Sequence, residues 1–214
     1  MYLDASLQKV LTAGDTACWE FFLNKYVRAA ATNLEERLIK TDHQLPFWCD
    51  TPMRIEYHPS GDISRELNAY RIQIYQDLIW ILRWAVEVGR VDILLEVSLL
   101  LSHLALLRAG PIQAVYIVFV YLKQVPKRRL YFERDHPDIS EDRFHDIDWD
   151  TFNRVAAEAI PLDMPWPRGK TMTSHYFVDV NHSGDNATRI SMTCILIFCN
   201  RAPIIWYAKR QNGV

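Results

Sequence analysis

The sequence predicts an α+β protein, a helical region followed by a three-strand antiparallel meander. Three observations carry this reading. Between Ala69 and Lys123, apolar residues recur at helical spacing, interrupted by Gly89 and by Gly110-Pro111. After Arg168 the pattern changes to short alternating runs, His175–Val180, Ile190–Phe198 and Pro203–Arg210, the first two joined by a Gly184-Asp185-Asn186 turn. Between them lies an acidic, Pro-punctuated stretch from Glu133 to Pro167 that reads as linker. The predicted organisation is residues 1–130 helical, 131–167 linker and 168–214 strands.

Taken in order, residues Cys18–Leu38 place apolar groups at Phe22, Tyr26, Ala29, Ala30, Leu34 and Leu38, which predicts an amphipathic helix. Pro46, Pro52, Pro59 and Gly61 then mark a loop from Thr41 to Asp62. Ser64, Leu67 and Asn68 precede a strong helix over Ala69–Val88, with Gly89 as the residue that ends it in a left-handed turn. A third helix is expected over Val91–Leu107, and its stretch Leu94–Leu107 is broken in polarity only by Glu96, Ser98, Ser102 and His103, so it is expected at the centre of the helical block. A fourth runs over Ile112–Lys123 and stops before Pro126, and a short helix is expected at Trp149–Ala159. Trp80, Trp84, Tyr116, Phe119 and Tyr121 are expected in the core.

Composition limits the function. With 214 residues, 50% of them hydrophobic, the chain can bury a real core and is not a disordered protein. Its net charge of −2 gives no overall basic field, so any nucleic-acid contact has to be local. The four cysteines, Cys18, Cys49, Cys194 and Cys199, match no zinc spacing and are expected to be reduced. The start of the chain lacks the basic-then-apolar pattern of a secretory signal, and the charge-free stretches Val97–Leu107 and Ala109–Leu122 fall short of the roughly 18–20 residues of a spanning helix. An intracellular protein of cytoplasm or nucleus, without a membrane partner, is the expectation.

Few residues carry chemistry. Asp179 is an isolated acid within the first terminal strand, either a metal ligand or a solvated strand residue. His175 and His182 flank it, but their odd spacing argues against convergence on a metal, and Asp185 reads as a turn residue. Lys123, Lys127, Arg128 and Arg129, followed by Tyr131 and Phe132, form the one concentrated basic patch. It could touch phosphates or simply complement the C-terminal dipole of the preceding helix. His103 is expected to be a core histidine with a backbone partner.

Several segments, taken together and in order, resemble polyproteins of copia-type LTR retrotransposons. They are Tyr2-Leu3, Asn24–Ala30 with Asn33–Glu36, Thr51-Pro-Met53, Tyr75–Ile79 with Leu82-Arg-Trp84, Gly89–Ile93, and Phe177-Val-Asp179 with Gly184-Asp185. The chain is similar to the part of those polyproteins that runs from the reverse transcriptase thumb and connecting helices into the ribonuclease H domain. The resemblance implies a truncated ribonuclease H-like meander, an RNA–DNA hybrid as the partner of the intact family, and Mg2+ or Mn2+ as its cofactor. It places Asp179 at the family's first metal-binding aspartate, an ancestral catalytic position with an incomplete metal site. The family's Tyr-x-Asp-Asp polymerase hairpin does not occur in these residues, and its helical glutamate would fall after Val214. Trp80, Asn181 and Cys194 stand where the family has Gly, an acid and Gly, and an indole at position 80 would overpack a closely packed helix.

These expectations describe a polyprotein fragment or decayed copy without catalysis, metal or partner of its own. The apolar strand face bearing Ile190, Met192, Cys194, Leu196 and Phe198 would then lie uncovered. The alternatives are a host protein-interaction module built on the helices, or a domesticated binder of RNA–DNA hybrids.

Overall fold

A computed structural model describes residues 5–12, 14–39, 45–54, 56–104, 107–135, 161–165, 169–170, 172–181 and 189–211. Among the described residues the fold is α+β, with four helices and two three-stranded antiparallel sheets. The helix expected at Trp149–Ala159, His182 and the turn at Gly184-Asp185-Asn186 lie outside the described residues.

The first difference from the sequence reading is at the N-terminus. Residues Ser6–Leu11 (β1) and Ala17–Phe22 (β2) form an antiparallel hairpin with Ser6 opposite Phe22 and Leu11 opposite Ala17. The predicted helix therefore begins late, as α1 over Asn24–Ile39. Phe22 and Tyr26 have helical spacing but sit on either side of the strand-to-helix joint at Leu23, and the buried stripe of α1 is Val27, Ala31, Leu34 and Leu38.

Helix α2 spans Ala69–Glu87. Asn68 caps it, its Oδ1 accepting from the backbone N–H of Arg71 at 2.9 Å. Gly89 follows the end with φ +130°, a conformation open to glycine and strained for any residue with a Cβ. Arg90 is then 1% exposed, and its Nε and Nη2 donate to the two carboxylate oxygens of Asp92 at 2.8 and 2.7 Å. Ile93 is fully buried beside them.

The third helix is shorter than its apolar run, with α3 covering Leu94–Leu101 after a 3-10 turn at Val91–Ile93. Its end is held by Ser102, whose Oγ donates to the Leu99 carbonyl at 2.7 Å. His103 Nδ1 lies 3.0 Å from that same carbonyl, the backbone partner expected of it. Helix α4, Ala109–Gln124, occupies the centre instead. Ten of its sixteen residues are buried, and it packs against α1, α2 and α3. Ser64 and Asp62 secure its start. Ser64 Oγ accepts from Gly110 N at 2.9 Å, and the Asp62 carboxylate fills the space where a Cβ on residue 110 would stand.

After α4 the chain returns to the N-terminal hairpin, where Arg129–Phe132 (β3) pairs antiparallel with β2, Trp19 opposite Phe132. The second sheet is a sequential meander of Ser174–Asn181 (β4), Met192–Cys199 (β5) and Ala202–Arg210 (β6). A register shift at Ile197/Phe198 and a left-handed Asn200 (φ 53°) make the tight β5–β6 connection.

Two expectations about burial are reversed. Trp80 and Trp84 are 60% and 43% exposed on the outer side of α2, so the indole at position 80 overpacks nothing, whereas Tyr116, Phe119 and Tyr121 are buried as expected. The sheet face with Met192, Cys194 and Leu196 is turned toward the helices, because β6 brings Trp206 and Ala208 of that same face against the core. The opposite face is exposed at Tyr176, Val178, Ile205 and Tyr207, and at β4 the first face is open as well, Phe177 being 46% exposed.

Candidate functional site

The candidate site starts from Asp179, which lies exposed on β4. Side chains alternate along a strand, so His175, Phe177 and Asp179 share one face. The register carries that face to Phe198, Leu196 and Cys194 of β5, and on to Trp206 and Ala208 of β6. Phe177 and Phe198 meet edge-to-face with centroids 5.6 Å apart. Asp179 is thus directly opposite Cys194, on the face that β6 presses onto α3 and the end of α2.

Helix α3 adds a second acid, Glu96, which the sequence showed only as a polar break. Burial pushes the Glu96 carboxyl above its ordinary range; its own backbone amide offsets part of this, and Asp92 adds to it. The Cys194 thiol is also raised, first by burial and then by the negative charges of Asp179 and Glu96. The neighbourhood therefore holds the exposed Asp179, a Glu96 carboxyl raised by burial and a Cys194 thiol raised above its ordinary range.

A two-metal nuclease site needs several ionised carboxylates around hard cations. This donor set does not fit Mg2+ or Mn2+. Among the described residues no group of three or more His, Cys, Asp or Glu is arranged to hold a metal ion. The four cysteines are free.

The basic patch is divided by the fold. Lys123, on the last turn of α4, is bound by Glu35 of α1. Arg129 begins β3 and reaches across to Glu20 of β2, while its guanidinium lies 5.4 Å from the centre of the Phe22 ring. Glu20 is 1% exposed and also accepts from Gln8 Nε2 at 2.7 Å. Burial opposes ionisation of Glu20, but the hydrogen bonds from Arg129 and Gln8 and the Arg129 charge outweigh it and bring the carboxyl below its ordinary range. Lys127 and Arg128 remain, exposed in the turn between α4 and β3. Sequence spacing groups the four cations, yet the fold ties the outer two to acids contributed by α1 and β2.

Comparison of the chain with protein-family models, with characterised proteins and with solved structures finds no match. Among the described residues no helix is long and apolar enough to cross a membrane.

Proposed function

We propose that this chain is a segment or decayed copy of a copia-type retrotransposon polyprotein, with reverse transcriptase thumb and connection-like helices joined to the first strands of a ribonuclease H-like domain, and that it has no nuclease activity alone. The observation that supports the reading is the position of Asp179 on the first strand of a sequential antiparallel meander. The exposed acid on that strand supports the resemblance, while the surrounding donors, Cys194 and a Glu96 carboxyl raised by burial, do not suit a hard cation.

The test is incubation of the purified chain with an RNA–DNA hybrid in Mg2+ or Mn2+. No metal-dependent cleavage is expected. Cleavage that disappears in Asp179→Asn would overturn the inactive reading and make Asp179 a working ligand. Reading the transcript on both sides of this segment tests the origin, because a Tyr-x-Asp-Asp hairpin upstream and a helical glutamate downstream are what a polyprotein segment requires.

One observation favours a second reading, a protein-interaction module. Trp80 and Trp84 stand one helical turn apart on the exposed side of α2, and large aromatic side chains in water are the usual anchors of a partner. A monodisperse, cooperatively unfolding chain would support the module, and a molten or insoluble one would support the polyprotein segment.

A further inference from the structure

We propose that β4 is a self-complementary edge, through which two copies of this chain pair antiparallel about a two-fold axis at Phe177 and join their meanders into one six-stranded sheet. The inference does not depend on the polyprotein reading. Strand β4 is at the margin of its sheet, with one neighbour, β5, among the described residues. Its side chains are open on both faces, Tyr176 66%, Phe177 46%, Val178 60% and Val180 46% exposed. An eight-residue edge of this kind, with Asp179 as its one acidic side chain, offers backbone groups to another strand.

The sequence of β4 selects the occupant and the register. An isologous interface sets residue i of one copy against residue j of the other and j against i. Centring on Phe177 places Phe177 against Phe177 of the second copy, Tyr176 against Val178, and His175 against Asp179, each pair occurring twice except the central one. Aromatic–aromatic and aromatic–β-branched cross-strand pairs stabilise a sheet, and setting each Asp179 against His175 keeps the two carboxylates apart. Moving the axis to Val178 sets Phe177 against Asp179, and moving it to Tyr176 sets Phe177 against His175 and Asp179 against Thr173. One register alone satisfies both the apolar centre and the polar ends.

The exposed face gains from the same arrangement. Tyr176 and Val178 continue across β5 and β6 into Ile197 with Ile205 and Ile195 with Tyr207. In the joined sheet this apolar surface becomes continuous across the axis. Edge pairing over a single strand is small beside the roughly 1,200–2,000 Å² of a stable interface. The dimer is therefore weak and concentration-dependent.

Sedimentation velocity of the full chain over a micromolar concentration series tests the proposal. The wild type is expected to show a monomer–dimer equilibrium. His175→Asp sets acid against acid at both ends and is expected to raise the dimer dissociation constant about tenfold or more. The charge swap His175→Asp with Asp179→His restores the pairing and is expected to recover wild-type dimerisation, with circular dichroism showing that all three chains are folded. A wild type that is monomeric throughout the series would overturn the proposal. So would a His175→Asp chain that dimerises unchanged, a folded swap variant that stays monomeric, or species that grow beyond the dimer, since open-ended growth would place association on the apolar face.

Discussion

The indole N–H of Trp206 donates to the backbone carbonyl of Val86 at 2.9 Å, joining the last strand of the chain to the end of α2. Val86 lies in the last turn of α2, and its carbonyl, which already accepts from the backbone N–H of Gly89 at 3.0 Å, takes the indole as a further donor. It also fixes which face of the meander meets the core.

Trp206→Phe keeps most of the ring and removes the donor, and it is expected to cost about 1 kcal/mol in urea unfolding. Trp206→Ala also empties the space the indole fills against the core and is expected to cost about 2–3 kcal/mol. Both variants should unfold in one transition by far-ultraviolet circular dichroism. Two separated transitions in the wild type would show that the meander is not held by this bond.

Gly89 makes a sharper local test. Its φ of +130° is closed to residues with a Cβ, and a Cβ there would stand 3.1 Å from Leu130 Cδ1 and 3.3 Å from Phe21 Cε1. Gly89→Ala is expected to lose about 1–3 kcal/mol by strain at this turn. Gly61 has open space within 4 Å and no left-handed φ, so Gly61→Ala is the matched control and should change stability little. Equal effects of the two would rule out the special backbone role of Gly89.

How much of this was readable follows from what each residue depends on. The Asn68 cap and the Gly89 stop act within one helical turn, so the limits of α2 were legible in the sequence. The first sheet was not, because it rests on the pairing of Gln8 with Glu20 across twelve residues and of Trp19 with Phe132 across more than a hundred. Alternation along β5 showed that the strand has two faces. It carried no information on which one is buried, a choice made by Trp206. Asp179 was found by its isolation, but Glu96 entered its surroundings only through the packing of α3 on β6. The basic cluster was visible as composition, and its division needed the partners Glu35 and Glu20.

Glu96 sets a pH dependence whose sign follows from its raised carboxyl. The folded state holds the proton more tightly than the unfolded chain, whose glutamate titrates near about 4.3. Its contribution is fully present below that value and is lost as pH rises through the higher folded one. Glu96→Gln removes the loss, so at pH 7 the variant is expected to melt about 2 °C or more above the wild type. The difference should vanish below roughly pH 4. A variant less stable than the wild type at pH 7 would show that the Glu96 carboxylate has a stabilising partner.

The Lys127-Arg128 turn and its neighbour Arg129 are separable by what they do. Arg129 is occupied with the buried Glu20, so Arg129→Ala is expected to lower the melting temperature by leaving that carboxylate short of a donor. Lys127 and Arg128 are exposed, and replacing both with Ala should leave the melting temperature nearly unchanged. If the turn touches the phosphates of an RNA–DNA hybrid, the same double substitution weakens binding and reduces the slope of log affinity against log salt by roughly 0.9 for each phosphate no longer neutralised, as counterion release requires. Fluorescence anisotropy with a labelled hybrid across a salt series measures both. A slope that is the same in the double variant and the wild type would remove the turn from any nucleic-acid surface, and leave its two cations as solvated charge at the end of α4.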